Sequence, residues 1–385
     1  MLDRPVLPVY GGGRRLPVHA AIQDAQAGLG GGLLLRIHAA LLPMSDGEIL
    51  RVASPLPDLV DELTSFEVAS GHGLLAVEDD PARPGWRFHY LRKGPVRTEW
   101  DGDAGGRAIR RAGHASPADA PTVDELMPRR LWFYANYDCN LQCDYCCVVA
   151  GPRADPRWLP SDRILRAADE ARSAGFERLF VTGGEPLLRP DLPALIEALT
   201  ARLPLTVLTN AMLLRGPRWE RLRAVITPGR DLAFQVSLDS ATPELHDLHR
   251  GAGAHGRALD GIATLLAAGA RVRLAATLPA AHLDEIPGLH ALADQLGIAR
   301  EDRIFRPLAL RGAASEGAPI RPSDIAPELT LDADGWSWHP LSNDPDMRLQ
   351  AGPHATVGEA LTEVRHRLTD LLAGRSARLD RFVCG

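Results

Sequence analysis

Several features that mark other classes of protein are absent from this 385-residue sequence, or rare in it. No run of about 18 apolar residues occurs, so we expect no membrane-spanning segment. The first residues contain no apolar stretch of signal-peptide length. Lys93 is the only lysine, and the formal net charge is −6. A broad nucleic-acid-binding surface is normally basic, so this charge argues against nucleic acid as a partner.

Cysteine is scarce, and familiar catalytic motifs are missing. The five cysteines begin only at Cys139, and three of them have ligand spacing, which fits a reducing cytoplasm better than a disulfide scaffold. The sequence contains no HExxH, no GxSxG and no glycine-rich phosphate loop after a predicted strand. Those motifs are typical of zinc proteases, α/β-hydrolases and nucleotide-binding proteins.

What is present is an ordinary soluble composition, with 45% hydrophobic and 24% charged residues. The length predicts two domains, with a smaller tail after the second. We predict a small α+β domain over 16–94, a linker over 95–127, an α/β domain over 128–310 and an extension over 311–385. The linker is rich in Gly, Ala, Asp and Arg and has no apolar period.

The second domain alternates strands and helices. The predicted strands cover 131–137, 177–181, 205–208, 232–238, 271–277 and 302–308. The predicted helices cover 161–174, 190–203, 219–225, 242–249, 256–268 and 283–296, with a further helix at 357–372 in the extension. Ser161 is the predicted N-cap of the first helix. Six strand–helix units predict a parallel sheet with helices outside, an open (β/α)6 TIM-like barrel whose ligands lie at the carboxyl ends of the strands.

Three cysteines follow the first strand of this domain as C-x3-C-x2-C: Cys139, Cys143 and Cys146. A thiolate-rich site of this kind suits an iron–sulfur cluster. Three ligands on a four-iron cube leave one iron open to a small molecule. The alternatives are a zinc site or a set of buried thiols, but zinc prefers four ligands in two separated pairs, and no second pair follows. We expect the adjacent Cys147 to point elsewhere, as a small buried thiol.

Polar or small residues end the next strands. Gly183 and Gly184 allow close approach of the backbone, and Glu185, followed by Pro186, supplies an acceptor for an ammonium group. Further candidates lie at later strand ends and in the HDLHRG stretch: Thr209, Asn210, Ser237, Asp239 and Arg250. Ser237 and Asp239 could instead cap the following helix. We interpret His246, Asp247 and His249 as surface or packing residues.

Together the cysteine spacing and the GGEP segment resemble radical SAM enzymes. The resemblance implies a 4Fe–4S cluster on the three cysteines and S-adenosylmethionine (SAM) on its open iron. Reductive cleavage of SAM would release a 5′-deoxyadenosyl radical. It also implies that Tyr145 lies near the adenine, that the GGEP segment binds the methionine amino group, that Thr209, Asn210 and Ser237 contact the cofactor, and that Arg250 pairs with the methionine carboxylate. An external one-electron donor such as a flavodoxin or ferredoxin would be required.

Two weaker resemblances concern the flanking regions. In the first domain we predict strands over 48–53, 74–77 and 86–91 and a helix over 58–71. The order of elements over 16–94 resembles a TusA/SirA-type sulfur-carrier domain, but Gly30-Gly31-Gly32 stands where that family carries its Cys-Pro motif. We therefore expect a scaffold for a substrate or partner, or a domain that merely packs on its neighbour. The extension resembles a shortened SPASM domain with one cysteine, Cys384, which we interpret as an inert end residue.

Two other functions stay open from sequence alone. A non-catalytic iron–sulfur sensor or scaffold would need the cysteines but not GGEP, Ser237 and Arg250. A sulfur-trafficking protein would need a cysteine in the first domain. The substrate is not indicated beyond two classes, a peptide or a small metabolite or cofactor precursor.

Overall fold

The computed structural model describes residues 18–23, 33–41, 44–56, 59, 60, 63, 72–94, 122–153, 155, 157–282 and 285–373. They form two compact units, one up to Leu126 and the other from Met127 onward. Gly30–Gly32, Cys384, most of the predicted helix at 58–71 and most of the linker lie outside the described residues. Among the described helices, none combines the length and the apolar character needed to cross a bilayer.

The first unit contains a four-stranded sheet and a helix. Its elements are β1 (Ala20–Gln23), α1 (Leu33–Leu41), β2 (Ile49–Ser54), β3 (Gly73–Asp79) and β4 (Arg87–Arg92). The strand order is β1-β2-β4-β3, in which β1 is parallel to β2 and the other pairs are antiparallel. The sequence predicted the last three strands but no strand near residue 20. Strand β1 has only four residues and none of them is fully buried, so it carries too little pattern to be seen.

One face of this sheet is covered by α1. Apolar residues four apart on the helix lie on one side, as the 3.6-residue period requires. They form a fully buried core with the helical residues at 59 and 63 and with the strands: Leu33, Ile37, Leu41, Leu50, Val52, Leu59, Leu63 and Leu91. The unit therefore has a hydrophobic core of its own.

The second unit is built on six parallel strands, as the sequence predicted. They are β5 (Arg130–Tyr134), β6 (Arg178–Thr182), β7 (Leu205–Thr209), β8 (Leu232–Ser237), β9 (Arg271–Leu278) and β10 (Arg303–Pro307), paired in sequence order. Most of their residues are apolar, on both faces, as expected when helices cover one side and a barrel interior the other. Trp132 and Phe180, for example, stack inside with ring centroids 4.0 Å apart, whereas Leu179 and Val181 are buried on the opposite face.

A short helix, α2 (Val123–Leu126), ends the first unit. Six helices follow the first strand of the second unit: α3 (Ser161–Ser173), α4 (Leu192–Thr200), α5 (Gly216–Arg223), α6 (Pro243–Arg250), α7 (Ala254–Ala267) and α8 (Glu285–Gln295). Helices α3 to α8 match the six predicted helices to within a few residues. The parallel sheet with connecting helices gives the mixed α/β, partial TIM-like barrel that the sequence predicted.

The predicted cap at Ser161 is wrong. Ser161 is already the first helical residue, and Pro160 occupies the cap position. The Ser161 hydroxyl instead contacts Asp191 and accepts a hydrogen bond of 2.8 Å from Arg189, a residue that is 3% exposed. A buried guanidinium needs many acceptors, and this one recruits the hydroxyl that would otherwise cap the helix.

The chain after β10 belongs to the same compact unit and extends the same sheet. Strand β11 (Thr330–Asp332) pairs in parallel with β5, and β12 (Gly335–Ser337) pairs antiparallel with β11. Helix α9 (Val357–Ala373) packs against α3. The first barrel strand is therefore covered by the extension, where sequence analysis predicted the helix but not the two short strands.

Candidate active site

A cavity of about 190 Å³ opens at the carboxyl ends of the parallel strands. It is lined, among others, by Cys139, Cys143, Tyr145, Cys146, Cys147, Gly183, Gly184, Glu185, Thr209, Asn210, Ser237 and Arg250. We call it the thiol cavity. Every predicted cluster or cofactor residue except Pro186 lines it, whereas the further candidate Asp239 does not. Pro186 is buried next to it, at the start of the short turn Pro186–Leu188.

The three predicted cluster ligands lie on the loop after β5. Backbone N–H groups approach two of the sulfurs: Leu141 N lies 3.4 Å from Cys139 Sγ, and Ala150 N lies 3.3 Å from Cys146 Sγ. Such contacts stabilise a thiolate more than a thiol. Burial, together with the nearby Glu185 carboxylate, raises the pKa of Cys139 to about 12. Burial also raises the pKa of Cys143, while Arg250 opposes that shift.

The surroundings of these cysteines favour thiolates bound to a cationic cluster over thiolates without a bound cation. The protein alone disfavours the thiolate form of Cys139 and Cys143, and a bound cation would supply the charge that compensates burial. Among the described residues, no three His, Cys, Asp or Glu side chains are close enough to hold one metal ion. The sulfurs nevertheless share a single cavity, and a multi-iron cube spans a larger distance than one zinc ion. The residues present therefore fit the 4Fe–4S group that the sequence implies.

The glycine pair is required by backbone contacts between two strand ends. A Cβ at Gly183 would lie 2.4 Å from Asn136 O, and a Cβ at Gly184 would lie 2.2 Å from Asp138 O. The backbone here continues the pairing of β6 with the chain after β5, because Gly184 N donates to Asn136 O and Glu185 N donates to Asp138 O, both at 2.8 Å. Any side chain at these glycines would push the cysteine loop away from its neighbour.

Glu185 is the most heavily bonded side chain at the base of the cavity, with 1% exposure. Its Oε1 accepts hydrogen bonds from Leu187 N at 3.0 Å and from Thr209 Oγ1 at 2.7 Å, and its Oε2 accepts one from Asn210 N at 2.8 Å. Burial raises the pKa of Glu185 although these donors lower it. A carboxylate has about four acceptor positions, and Oε2 receives one donor among the described residues, which leaves it a position for a further proton donor.

Asn210 ties the third strand to the cysteine loop. Its amide nitrogen donates to Asn140 Oδ1 at 2.9 Å, and its Oδ1 accepts from Met212 N at 3.0 Å. Asn140 lies directly after Cys139. Thr209 and Asn210 therefore hold Glu185 and the cysteine loop in one hydrogen-bonded network at the end of β7.

A buried ion pair between Arg250 and Asp239 lies at the opposite wall of the thiol cavity. Arg250 Nε donates to Asp239 Oδ2 at 2.5 Å and Arg250 Nη2 donates to Oδ1 at 3.2 Å, with side chains 11% and 5% exposed. The Tyr145 hydroxyl donates to the same carboxylate, which also accepts from Thr277 N at 3.0 Å. Burial alone would raise the pKa of Asp239, but Arg250 outweighs it and the pKa falls to about 2.

The ion pair between Arg250 and Asp239 was not predicted from the sequence. Arg250 lines the cavity as predicted, but its first partner is Asp239, which sequence analysis left undecided between a cofactor contact and a cap. His246 also belongs here, because its Nδ1 accepts a hydrogen bond from Asp239 N at 3.2 Å. Burial and the charge of Arg250 lower the pKa of His246 to about 4. The sequence left surface and packing positions open for His246, and its burial agrees with packing.

Two residues need comment. Cys147 was expected to be a small buried thiol that points elsewhere. Burial does raise its pKa to about 12, but Cys147 also lines the thiol cavity, with its sulfur 3.8 Å from the Tyr134 hydroxyl. Asn136 was missed. Its amide nitrogen donates to Asp138 O at 3.0 Å and to Glu185 O at 3.2 Å, clamping the two loops together. A polar amide at the end of an otherwise apolar strand was the available signal.

Fold and site together define a class: a partial α/β barrel with three clustered thiols and a buried carboxylate at the carboxyl ends of its strands. Residues 135–291 match the family model of the Radical SAM superfamily. These residues are therefore similar to the Radical SAM superfamily, whose members use a 4Fe–4S cluster and SAM.

Curated relatives match over the same region. The chain is 32% identical over 199 residues to an AdoMet-dependent heme synthase of Methanosarcina barkeri, covering 51% of this chain and 55% of the relative. It is 32% identical over 187 residues to a PqqA peptide cyclase of Ruegeria pomeroyi, covering 48% and 49%. The chain thus spans about half the length of these relatives. Among solved structures, Streptococcus suis SuiB bound to S-adenosylmethionine has a TM-score of 0.44 at 18% identity, over 67% of this chain and 51% of that one.

Proposed function

We propose that this protein is a radical SAM enzyme. Cys139, Cys143 and Cys146 would hold a 4Fe–4S cluster, and the wall formed by Tyr145, Gly183–Pro186, Thr209, Asn210, Ser237 and Arg250 would hold SAM. When bound and reduced, this pair of cofactors supplies a 5′-deoxyadenosyl radical that abstracts hydrogen from a substrate. The observation that carries the proposal is that the C-x3-C-x2-C thiols, Glu185 and Arg250 line one cavity within a matched radical SAM domain.

Each wall residue has a chemical task that its contacts support. Glu185 offers the vacant acceptor position on Oε2 to the ammonium group of methionine, and a charge-assisted bond of that kind is stronger than a neutral one. Arg250 uses two of its five N–H groups on Asp239, and its remaining donors suit a carboxylate. Tyr145 presents an aromatic ring, which suits the face of a base. Its hydroxyl is tethered to Asp239, so the orientation of the ring is fixed.

The cavity also holds features that suit a second molecule. Apolar side chains from strands and extension line its outer part: Trp132, Tyr134, Leu208, Pro307, Leu308, Pro340 and Leu341. They would exclude water from the radical. The curated relatives include a peptide cyclase and a mycofactocin maturase, and also a heme synthase and GTP 3′,8-cyclases. We propose that the substrate is a peptide or a small cofactor precursor, and that a flavodoxin or ferredoxin supplies the electron.

For the flanking regions we propose scaffold roles. The first unit, a β-α-β-β-β arrangement in the described residues, supports a TusA/SirA-like domain over 16–94 that positions a substrate or partner. It has no cysteine for persulfide transfer. The extension after residue 310 acts as a shortened SPASM-like cover over one side of the cavity, through Pro340 and Leu341.

The test is cluster loading followed by SAM cleavage under anaerobic conditions. Iron and sulfide content is measured after reconstitution, and 5′-deoxyadenosine is measured after addition of dithionite. We expect about four iron atoms per chain, because the proposed cluster is a cube. We also expect 5′-deoxyadenosine from the wild type, and loss of both signals in Cys146→Ser. Cys147→Ser is the matched control, one residue away, and should retain the iron. A protein that holds the cluster but never cleaves SAM would refute the enzyme and favour the iron–sulfur sensor.

A further inference from the structure

A second cavity, of about 290 Å³, opens at the other end of the barrel, where the parallel strands begin. Four arginines and one glutamate line it, with Phe180 and Ala233: Arg130, Arg178, Arg271, Arg273 and Glu177. We call it the arginine cavity. Arg130, Arg178 and Arg271 are the first residues of β5, β6 and β9, so the cavity faces away from the thiol cavity at the carboxyl ends.

Strand register brings the like charges together. Arg130 and Arg178 are direct partners on the neighbouring strands β5 and β6. Arg271 and Arg273 are two residues apart on β9 and therefore on the same face of the sheet. Like charges in such positions repel each other, so this arrangement is unfavourable unless negative charge is available.

Acidic side chains compensate part of this charge, including Glu177, which lines the cavity and pairs with Arg129 at 3.4 Å. Asp302 forms ion pairs with two of the four arginines, Arg271 at 2.8 Å and Arg273 at 3.5 Å. The contacts of Arg130 with Glu328 and of Arg178 with Asp231 are long, both 3.4 Å. Arg273 is the most enclosed of the four, with 16% side-chain exposure. Burial lowers the pKa of Arg273, Asp302 opposes that shift, and the other three arginines lower it further.

An unsatisfied hydroxyl lies beside the same cavity. Thr206 on β7 is in register with Phe180 on one side and Ala233 on the other, and both of these line the cavity. The Thr206 side chain is fully buried, and its Oγ1 has no hydrogen-bond partner among the described residues. Buried hydroxyls normally have one, so this position suits a water or a ligand atom.

We propose that the arginine cavity binds an oxyanion, the phosphate or carboxylate group of a small anionic ligand. Arginine forks match both groups in geometry, and four of them around one cavity suit a ligand with more than one negative charge. Phe180 and Ala233 are the apolar members of the lining. The site lies apart from the thiol cavity, so this proposal does not depend on the proposed function.

The test is titration calorimetry of the full chain with inorganic phosphate, pyrophosphate and citrate, with ionic strength held constant by sodium chloride. Phosphate and citrate distinguish a phosphate ligand from a carboxylate ligand. We expect saturable binding of at least one probe, weakened tenfold or more in Arg273→Gln and in Arg178→Gln. Arg166→Gln is the matched control, because Arg166 is 61% exposed on α3 and pairs only locally with Asp162 in the described contacts. Its affinity should equal that of the wild type.

Three results would overturn the proposal. The wild type could show no saturable heat with any probe, Arg273→Gln could bind as tightly as the wild type, or Arg166→Gln could lose as much affinity as Arg273→Gln, which would indicate general charge screening. If Arg273→Gln fails to fold by circular dichroism, Arg178→Gln decides, since Arg178 is more exposed. Reductive SAM cleavage should be unchanged in Arg178→Gln, so failure of this proposal is separable from failure of the enzyme assignment.

Discussion

Replacing Asp239 by Asn tests the wall of the thiol cavity most directly. The substitution keeps the size of the side chain but removes its charge, which leaves Arg250 buried without its counter-ion. Breaking a buried pair in this way costs about 3–5 kcal/mol. A domain is stable by only about 5–15 kcal/mol, so the variant should unfold at a clearly lower urea concentration. The amide oxygen can still accept from Thr277 N or from the Tyr145 hydroxyl, which is why we expect destabilisation and not complete unfolding.

The assay is urea unfolding of the full chain without iron, followed by intrinsic tryptophan fluorescence. Asp247→Asn is the control in the same segment, because Asp247 accepts only backbone hydrogen bonds, from Gly253 and His255, among its described contacts. It should lose no more than about 1 kcal/mol. The double variant Asp239→Asn/Arg250→Gln removes both charges and should be more stable than Asp239→Asn alone, since no buried charge is left unpaired.

The dependence of stability on pH is an independent test of the Asp239–Arg250 pair. The pKa of Asp239 in the folded protein is about 2, below the ordinary value of 3.8, so the unfolded chain binds the proton first as pH falls. The stabilisation from Asp239 is therefore complete above about pH 4 and is lost as pH falls toward 2. Asp239→Asn should lack this part of the acid transition. The buried pair does not stabilise this wall if the free energy of unfolding of Asp239→Asn lies within about 1 kcal/mol of the wild-type value at neutral pH. The same conclusion follows if the effects of Asp239→Asn and Arg250→Gln are additive.

Three further predictions concern the same unit. Glu185→Gln should retain its iron but bind SAM about tenfold more weakly or worse, since one charge-assisted bond is lost; equilibrium dialysis with unchanged affinity would contradict this. In α7, Gly261→Ala should destabilise by about 1–3 kcal/mol, because a Cβ there lies 2.2 Å from Ala211 O. Gly256→Ala in the same helix meets nothing within 4 Å and should stabilise by up to about 1 kcal/mol, with both values taken from urea unfolding. His246 should stay neutral in the folded protein down to about pH 5, because its pKa is about 4. The free energy of unfolding should therefore decrease below pH 6.5, where this histidine binds a proton in the unfolded chain only. An NMR titration of His246 with a midpoint near 6.5 would show that it is not buried as described.

Local pattern was enough to predict most of the barrel. Each strand from β5 to β10 is an apolar run bounded by turn residues, and each connecting helix carries its own 3.6-residue period, so neighbouring residues specify these elements. The cysteine loop was predictable for the same reason, since ligand spacing is local. The gathering of Cys139, Glu185 and Asn210 in one cavity then follows from the rule that parallel strands present their carboxyl ends at one edge of the sheet.

Contacts between distant segments were not predictable in this way. Strands β1 and β11 have four and three residues, too few for a period, and β11 exists because the edge of β5 offers hydrogen-bonding partners. The cap at Ser161 failed because Arg189, 28 residues away, needs its hydroxyl. The place of Cys147 in the cavity depends on Tyr134 and on the chain near Gly312, where a Cβ would lie 2.5 Å from the Cys147 carbonyl.

Contacts with the extension explain how the cysteine loop after β5 keeps a fixed position. An edge strand is the least constrained strand of a sheet, yet β5 carries the loop with all three predicted ligands. Strand β11 pairs with it, the Tyr134 hydroxyl donates to Pro340 O at 2.6 Å, and the Tyr137 hydroxyl donates to Asp332 Oδ2 at 2.6 Å. Asp332 is itself held by both Nη groups of Arg348, at 2.8 and 2.7 Å. Residues about 200 positions downstream therefore fix the base of the cysteine loop, so the extension positions the candidate ligands as well as covering the cavity.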